Sequence, residues 1–318
     1  METLTRMVVA LAASQNGIIS LADAVMCGYD AAEVERLCRR GEWTRLRKGL
    51  YAPRPVRDSE DRHLLELAAA LRAVHVKDAA IAHLSAARLW GAKWLVEPSN
   101  TDIWVACDVP RTPNYYPGLR MLPAGLPVED VTTWNGLPVS TPARTVVDLA
   151  RHLAFEPAVV VVDSLRFTYK ITDEQLAAVL ERCRGWPFVR RARRAIGFSI
   201  MNAESPLESR FRIRFAEVET PPCRWQVEVV DANGEKRRLD GLFGRWAGLE
   251  IDGRSKYKTP EDLWEEKLRE DALRRAGFPL LRLTAGDLRL PPQALLRRVI
   301  NHMISTGDWL EGQGPVSF

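Results

Sequence analysis

The sequence has few cysteines, and they form no recognisable metal or disulfide pattern. No two of the five are joined by a CxxC spacing, and they are scattered through 318 residues at Cys27, Cys38, Cys107, Cys183 and Cys223. Structural zinc sites and disulfide frameworks both need paired spacings. We therefore expect a reduced, cytoplasmic protein without a structural zinc site.

Long hydrophobic runs and nucleotide-binding loops are also missing. No apolar run approaches the ~20 residues that a membrane span needs, and the short run 7–13 is interpreted as a first helix rather than a signal peptide. Neither GxxxxGK[ST] nor GxGxxG occurs, and Ser85 and Ser140 have no suitable His/Asp partner. We therefore expect no membrane association, no phosphate-loop nucleotide site and no serine-nucleophile chemistry.

The composition is that of a globular protein. Apolar residues make up 46% and charged residues 27% of the chain, and the formal net charge is only +4. A chain of 318 residues holds one very large domain or two to three ordinary ones. Because the net charge is small, the positions of the charges matter more than their sum.

Residues 1–54 have the order of a winged helix. A first helix near residues 7–14 is followed by a short helix capped by Ser20 and by helix 31–40, which begins after Asp30 and ends at Gly41. The segment "WTRLRKGLYAP" then alternates and turns at Lys48-Gly49, as a β-hairpin does. Trp43 and Tyr51 fit the core of this hairpin better than a base-stacking role.

Six cations fall within thirteen residues on the two elements that a winged helix places against DNA. Such side chains contact phosphates, and a helix can enter the major groove. The alternative is a solvated basic face on a structural or protein-binding domain. The candidate DNA-binding residues are Arg36, Arg39, Arg40, Arg45, Arg47 and Lys48.

The rest of the chain divides into two further predicted domains. A polar linker, residues 54–61, precedes a mixed α/β middle domain at 62–200, in which Thr141 and Pro142 open a helix. A third domain at 204–300 has the order helix, three antiparallel strands, helix, strand. At the end of the middle domain, "PFVRRARRAIGF", with Arg190, Arg191, Arg193 and Arg194, is either an additional phosphate-contacting surface or a solvated helix end.

The third domain holds three carboxylates in two runs that otherwise indicate buried strands. If the turn centres near Arg245, Asp240 faces Glu250, and Glu250 shares a strand face with Asp252. Converging carboxylates repel one another unless a hard cation such as Mg²⁺ or Mn²⁺ lies between them. Nearby candidates are Glu208 as a further ligand, and Lys256 or Lys267 as a cation that stabilises negative charge. The alternative is three solvated acids on an edge strand.

The segments "ESPLESRFRIRF", "RRLDGLF", "GLEIDGRSKYK" and "WEEKLREDALRRAGFPLLRLTAGDL" resemble the very-short-patch-repair-like branch of the PD-(D/E)xK nucleases. The resemblance covers about residues 204–290 and implies a restriction-endonuclease-like fold. It would make Asp240 and Glu250 the ligands of Mg²⁺ or Mn²⁺, with Glu208, Asp252 and Lys256 completing a catalytic site. Two features depart from the pattern: Asp252 occupies the usual lysine position, and none of the five histidines lies in the motif.

A second resemblance covers most of residues 1–200. The segment "GIISLADAVMCGYDAAEVERLCRRGEWTRLRKGLYAP" resembles the N-terminal domain of AbiEi-type antitoxins, and "AIAHLSAARLWG" and "GLPVSTPARTVVDLA" resemble the middle of the same group. This implies that the winged helix binds operator double-stranded DNA, with a protein toxin as a partner.

Two functions from different classes remain open from the sequence. The first is a DNA-binding, metal-dependent endonuclease of an α+β fold, in a defence or toxin–antitoxin setting. The second is a transcriptional regulator or antitoxin whose nuclease-like tail is inactive. Asp252 in the usual lysine position favours the second function, and the Asp240–Glu250 pair with a nearby lysine favours the first.

Overall fold

The structure of the chain is a computed structural model, and it divides the chain into two compact units. It describes residues 2–74, 76, 78–108, 117–124, 126–252, 260–310 and 314–315. Unit 1 contains residues 1–92 and 97–149, and unit 2 contains residues 93–96 and 150–318. Twelve α-helices and several sheets lie within the described residues, so the fold is mixed α/β.

Unit 1 begins with a winged helix and continues into a second, larger sheet. Its helices are α1 (Glu2–Ala13), α2 (Leu21–Met26), α3 (Ala31–Arg39), α4 (Ser59–Val74), α5 (His83–Leu89) and α6 (Pro142–His152), the last of which runs across the division. Its strands are β1 (Ile19–Ser20), β2 (Thr44–Arg47), β3 (Leu50–Ala52), β4 (Ala80–Ile81), β5 (Ile103–Cys107), β6 (Leu119–Pro123), β7 (Val131–Trp134) and β8 (Leu137–Ser140).

The winged helix consists of α1, β1, α2, α3, β2 and β3 in chain order. Its small antiparallel sheet has the strand order β1-β3-β2, so the first strand pairs with the second strand of the hairpin. Trp43 and Tyr51 are buried with Val8 and Val34 in its core, as the sequence predicted for the two aromatic residues. The predicted helix order and the hairpin are therefore confirmed.

The winged helix shares a core with the element that follows it. Ile18, Leu50 and Ala52 belong to the same buried cluster as Leu65 and Ala69 of α4. The cluster extends onto the five-stranded sheet, whose order is β6-β5-β4-β8-β7. Because this core is continuous, the structure has no division at the predicted linker 54–61.

Among its described residues, unit 2 combines several helices with a four-stranded sheet and a short two-stranded sheet. The helices are α7 (Phe155–Tyr169), α8 (Asp173–Arg182), α9 (Val189–Phe198), α10 (Pro206–Glu217), α11 (Pro260–Arg275) and α12 (Pro292–Thr306). The strands are β9 (Cys223–Val230), β10 (Lys236–Phe243), β11 (Ala247–Asp252), β12 (Leu280–Thr284), β13 (Trp309–Leu310) and β14 (Gly314–Pro315).

The main sheet of unit 2 has the order β12-β11-β10-β9. Strands β9, β10 and β11 are antiparallel, and β12 is parallel to β11 after the crossover helix α11. The turn between β10 and β11 is held by Asp308, whose carboxylate accepts hydrogen bonds from the backbone N–H of Arg245 and Trp246 at 2.8 and 2.9 Å. The predicted order of helix, three antiparallel strands, helix and strand is thus observed, although order alone does not identify a nuclease.

A buried polar network joins α10 to α7 across the predicted boundary at 200–204. The carboxylate of Asp163 accepts from Arg212 Nη1 and from Ser209 Oγ, both at 2.6 Å, and from the backbone N–H of Ile200 at 2.9 Å. Burial raises the pKa of Asp163, while these donors act to lower it. Residues 150–318 consequently form one unit, and the division of the chain falls near residue 149.

None of the described helices is both long enough and apolar enough to cross a membrane.

Candidate nucleic-acid interface

Local sequence signals fix the position of α3. The hydroxyl of Ser20 accepts from the N–H of Asp23 at 3.1 Å, and the Asp23 carboxylate accepts from the N–H of Ser20 at 2.7 Å, which forms a capping box at α2. Asp30 starts α3 by accepting from the N–H of Glu33 at 2.7 Å. Gly41, at φ 72°, follows the end of the helix.

One face of α3 is basic and exposed. Val34 points into the core, whereas Arg36, Arg39 and Arg40 are all exposed. Residues three and four positions apart lie on the same side of a helix, so the three guanidinium groups share one face. The geometry matches that of a helix that enters a groove and contacts phosphates.

The hairpin adds two more exposed cations next to α3. Lys48 is exposed at the turn, where Gly49 has φ 75°. Arg45 is also exposed, and its guanidinium lies 3.8 Å from the carboxylate of Glu35. An ion pair between two half-exposed side chains at this distance is weak, so Arg45 can exchange Glu35 for a phosphate.

Arg47 has a different role from the one expected of it. Its guanidinium donates to the carbonyl oxygens of Pro117 and Gly118 at 3.1 and 3.2 Å, and burial lowers its pKa. The register of the hairpin shifts between Arg45 and Arg47, and such a bulge redirects a side chain. Arg47 therefore holds the loop at 117–118, and five of the six predicted cations remain exposed.

The carboxylates of unit 2 are neutralised by arginines. Gly241 pairs with Leu249 in the antiparallel ladder of β10 and β11. Asp240 therefore lies opposite Glu250, as predicted. Glu250 is nevertheless buried and accepts from Arg269 of α11 at 3.2 Å. A guanidinium therefore occupies the place of charge compensation that the sequence analysis assigned to a metal ion.

Asp252 and Glu266 belong to the same arginine network. Arg282 of β12 donates to Asp252 at 2.7 Å and to Glu266 at 2.5 Å, and Arg269 also donates to Glu266 at 2.8 Å. Burial acts to raise the pKa of Glu266, but the hydrogen bonds from Arg269 and Arg282 hold it below its usual range. Asp252 thus serves as an ion-pair partner in the structure.

Glu208 and Asp240 line a cavity within unit 2. The cavity has a volume of about 540 Å³ and is also lined by Glu204, Trp94 and residues of the α10 start. Oε2 of Glu208 accepts from Gln226 Nε2 at 2.6 Å and from the backbone N–H of Glu204 at 3.1 Å. Oδ2 of Asp240 accepts from the backbone N–H of Ile251 at 2.7 Å.

The carboxylates that were predicted to bind magnesium or manganese have hydrogen-bond donors of the protein as partners. Among the described residues, no group of three or more His, Cys, Asp and Glu side chains is placed to hold a metal ion. An arginine that is paired with a carboxylate competes with a hard cation for the same negative charge. Lys256 lies outside the described residues, and Lys267 is exposed on α11.

Sequence reasoning missed the two arginines that neutralise the acidic cluster. Arg269 is nineteen positions from Glu250 along the chain, and Arg282 is thirty positions from Asp252. The parallel pairing of Glu250 with Arg282 is a signal that could have found one of them, because it places unlike charges on adjacent strands.

Two family descriptions match separate parts of the chain. Residues 6–54 match "Transcriptional regulator, AbiEi antitoxin", and residues 78–197 match "AbiEi antitoxin C-terminal domain". The first match coincides with the winged helix and contains all the candidate DNA-binding residues. No comparison supports a very-short-patch-repair-like nuclease domain after residue 204.

Relatives and one solved structure come from Mycobacterium tuberculosis. Uncharacterized protein MT2308 of strain CDC 1551 and uncharacterized protein Rv2248 of strain H37Rv are each 24% identical over 194 residues, which is 59% of this chain and 72% of the relative. The crystal structure of the RV2827C protein is similar with a TM-score of 0.42 and 19% identity, over 66% of this chain and 80% of that one.

Proposed function

Because the N-terminal and C-terminal domains of AbiEi antitoxins are both found in this chain, we propose that it is a DNA-binding transcriptional regulator that acts as the antitoxin of a toxin–antitoxin pair. The observation that carries the proposal is the exposed basic face of α3, with Arg36, Arg39 and Arg40 on one side. The partners would be double-stranded operator DNA and a protein toxin.

The positions of the charged residues assign different DNA contacts to α3 and to the hairpin. Arg36, Arg39 and Arg40 would approach the major groove, and Arg45 and Lys48 of the hairpin would contact the flanking backbone. The caps at Ser20 and Asp30 hold α2 and α3 in place, so the arginines are presented by a fixed scaffold. Arg47 would hold the hairpin in position by its hydrogen bonds to the carbonyls of Pro117 and Gly118.

The nuclease alternative is less well supported. It requires Asp240 and Glu250 to share a cation, whereas Glu250 is paired with Arg269 and Asp240 accepts from the backbone of β11. We propose that the acidic cluster of unit 2 stabilises the fold, since its carboxylates hold α11 and β12 against β11.

Replacing the aspartate that a nuclease would need is expected to leave repression unchanged. In Asp240→Asn the amide oxygen can still accept from the N–H of Ile251, so the strand pair is kept while the charge is lost. A reporter driven by the DNA upstream of the gene for this chain should be repressed equally by the wild type and by Asp240→Asn. Loss of repression at unchanged protein level in this variant would count against the regulator proposal.

A further inference from the structure

A second basic surface lies on helix α9 of unit 2. Four of the five residues from 190 to 194 are arginines, and all four side chains are exposed, at Arg190, Arg191, Arg193 and Arg194. The opposite side of the helix is buried through Ala192, Ala195 and Ile196. At 100° per residue the four arginines form one continuous face directed away from the core.

These arginines differ from most other arginines of unit 2 in their surroundings. Arg210, Arg212 and Arg237 are each paired with a carboxylate at 2.6 to 2.8 Å. Within the part of the chain that the structure describes, no carboxylate lies within ion-pair distance of any arginine of the α9 face. The described residues therefore leave the positive charge of this face without a neutralising carboxylate.

The helix also places these charges where they do not stabilise it. Arg190 and Arg191 occupy the first turn of α9, which has no acidic residue, and the cap residue Phe188 makes no side-chain cap bond. A cation near the positive pole of a helix is unfavourable. The neighbouring α8 has the usual arrangement, with Asp173 and Glu174 in its first turn. Both the arginines and the helix pole of α9 favour an anion.

Aromatic rings hold two of the four guanidinium groups in place. The guanidinium of Arg191 lies 4.6 Å from the ring centroid of Phe188, and that of Arg194 lies 4.4 Å from the ring centroid of Phe155. The turn before α9 is fixed by Arg151, which donates to the carbonyl of Pro187 at 2.9 Å. Because the side chains are already ordered, binding an anion costs less conformational entropy.

We infer that the α9 face is a second DNA-binding surface, which contacts the phosphates of duplex DNA independently of sequence. The inference rests on the proposed function, since it adds a backbone contact to a protein whose α3 reads the operator. The spacing of four arginines along one face matches a row of charges of opposite sign better than a single small anion. Phosphate contacts add affinity and salt dependence without base discrimination.

The test is a salt titration of duplex binding with charge-matched variants of the full chain. Arg190→Gln/Arg193→Gln removes the two charges of this face for which the described residues show no aromatic contact, so the packing of α9 is kept. Arg274→Gln/Arg275→Gln removes two charges from exposed positions on α11 of the same unit and serves as the control. Circular dichroism and melting temperature establish that both variants fold.

The α9 variant should bind duplex DNA about tenfold more weakly at moderate salt, and the slope of log K against log[salt] should become shallower by about 2. The loss should be the same for operator and unrelated duplexes, and the α11 control should bind like the wild type. If the wild type binds normally and the α9 variant is unchanged, or if both variants lose affinity equally, this inference is overturned while the proposed function stands.

Two other outcomes are decisive in different ways. If the α9 variant keeps its duplex affinity but binds single-stranded RNA more weakly than the wild type, the surface serves RNA and the inference is overturned. If the wild type binds no duplex DNA at all, the proposed function fails and the inference fails with it.

Discussion

Replacing Arg36, Arg39 and Arg40 together by glutamine is expected to lower the affinity of the chain for operator DNA about 100-fold. Each phosphate or base contact by an arginine is worth about 1 kcal/mol or more, and three such losses correspond to about two decades in the dissociation constant. The salt dependence should also weaken, by about 0.9 in slope for each phosphate contact that is lost. Fluorescence anisotropy with a labelled duplex measures both quantities.

The control for this variant removes the same charge from the same unit. Arg54, Arg62 and Arg120 are exposed and paired with Asp61, Glu66 and Asp102, so their replacement by glutamine changes the net charge without touching α3. The account expects nearly normal operator binding by this control. Equal losses in the two triple variants would mean that only overall charge matters and that α3 is not the reading element.

Replacing Arg144 by methionine is expected to destabilise unit 1 by about 3 to 5 kcal/mol. Arg144 is 1% exposed and bridges two buried acids, donating to Asp130 at 3.0 Å and to Asp148 at 2.9 Å. Removing the guanidinium leaves both carboxylates in the core without this counter-charge, and the loss of one partner of a buried ion pair costs that much. Urea unfolding followed by tryptophan fluorescence measures the change.

An exposed pair in the same unit is the reference for this experiment. Arg120 is bonded to Asp102 at 2.8 Å, but its side chain is 58% exposed, so Arg120→Met should cost no more than about 1 kcal/mol. If the two variants unfold at the same urea concentration, the buried bridge at Arg144 adds no more to the free energy of unfolding than a surface ion pair does. The predicted stabilisation of unit 1 by this bridge would then be wrong.

Local signals in the sequence were sufficient for the winged helix. Ser20 and Asp30 cap helices because their side chains reach N–H groups three residues away, and Gly49 permits the hairpin turn, so each prediction depended on a few neighbouring residues. The same applies to Thr141, which accepts from the N–H of Arg144 at 3.2 Å at the start of α6. The antiparallel pairing of β10 with β11 followed equally from the turn predicted near Arg245.

The features that the sequence did not reveal depend on residues far apart in the chain. The predicted cation site was argued from the spacing of Asp240, Glu250 and Asp252, but the arginines that neutralise Glu250 and Asp252 come from α11 and β12. The domain boundaries depend on shared cores, such as the cluster that joins Leu50 to α4. Neither an ion pair between distant residues nor a core shared by distant segments leaves a pattern among neighbouring residues of the sequence.

Arg45 and Arg47 show the limit of charge counting within a single hairpin. The two residues are chemically identical and two positions apart, and both were predicted to contact DNA. The register shift between them leaves Arg45 exposed and directs Arg47 to the carbonyls of Pro117 and Gly118. A bulge of this kind cannot be located from residue types alone, because it depends on what the strand packs against.

The most direct test of the regulator account uses one gel with supercoiled plasmid that carries the upstream DNA of this gene. The full chain is incubated with the plasmid and with Mg²⁺ or Mn²⁺, and then half of each sample is deproteinised before electrophoresis. The account predicts retarded plasmid in the untreated half and only supercoiled plasmid in the deproteinised half. Open-circular or linear plasmid that requires the metal, and that is absent with Glu250→Ala, would contradict it.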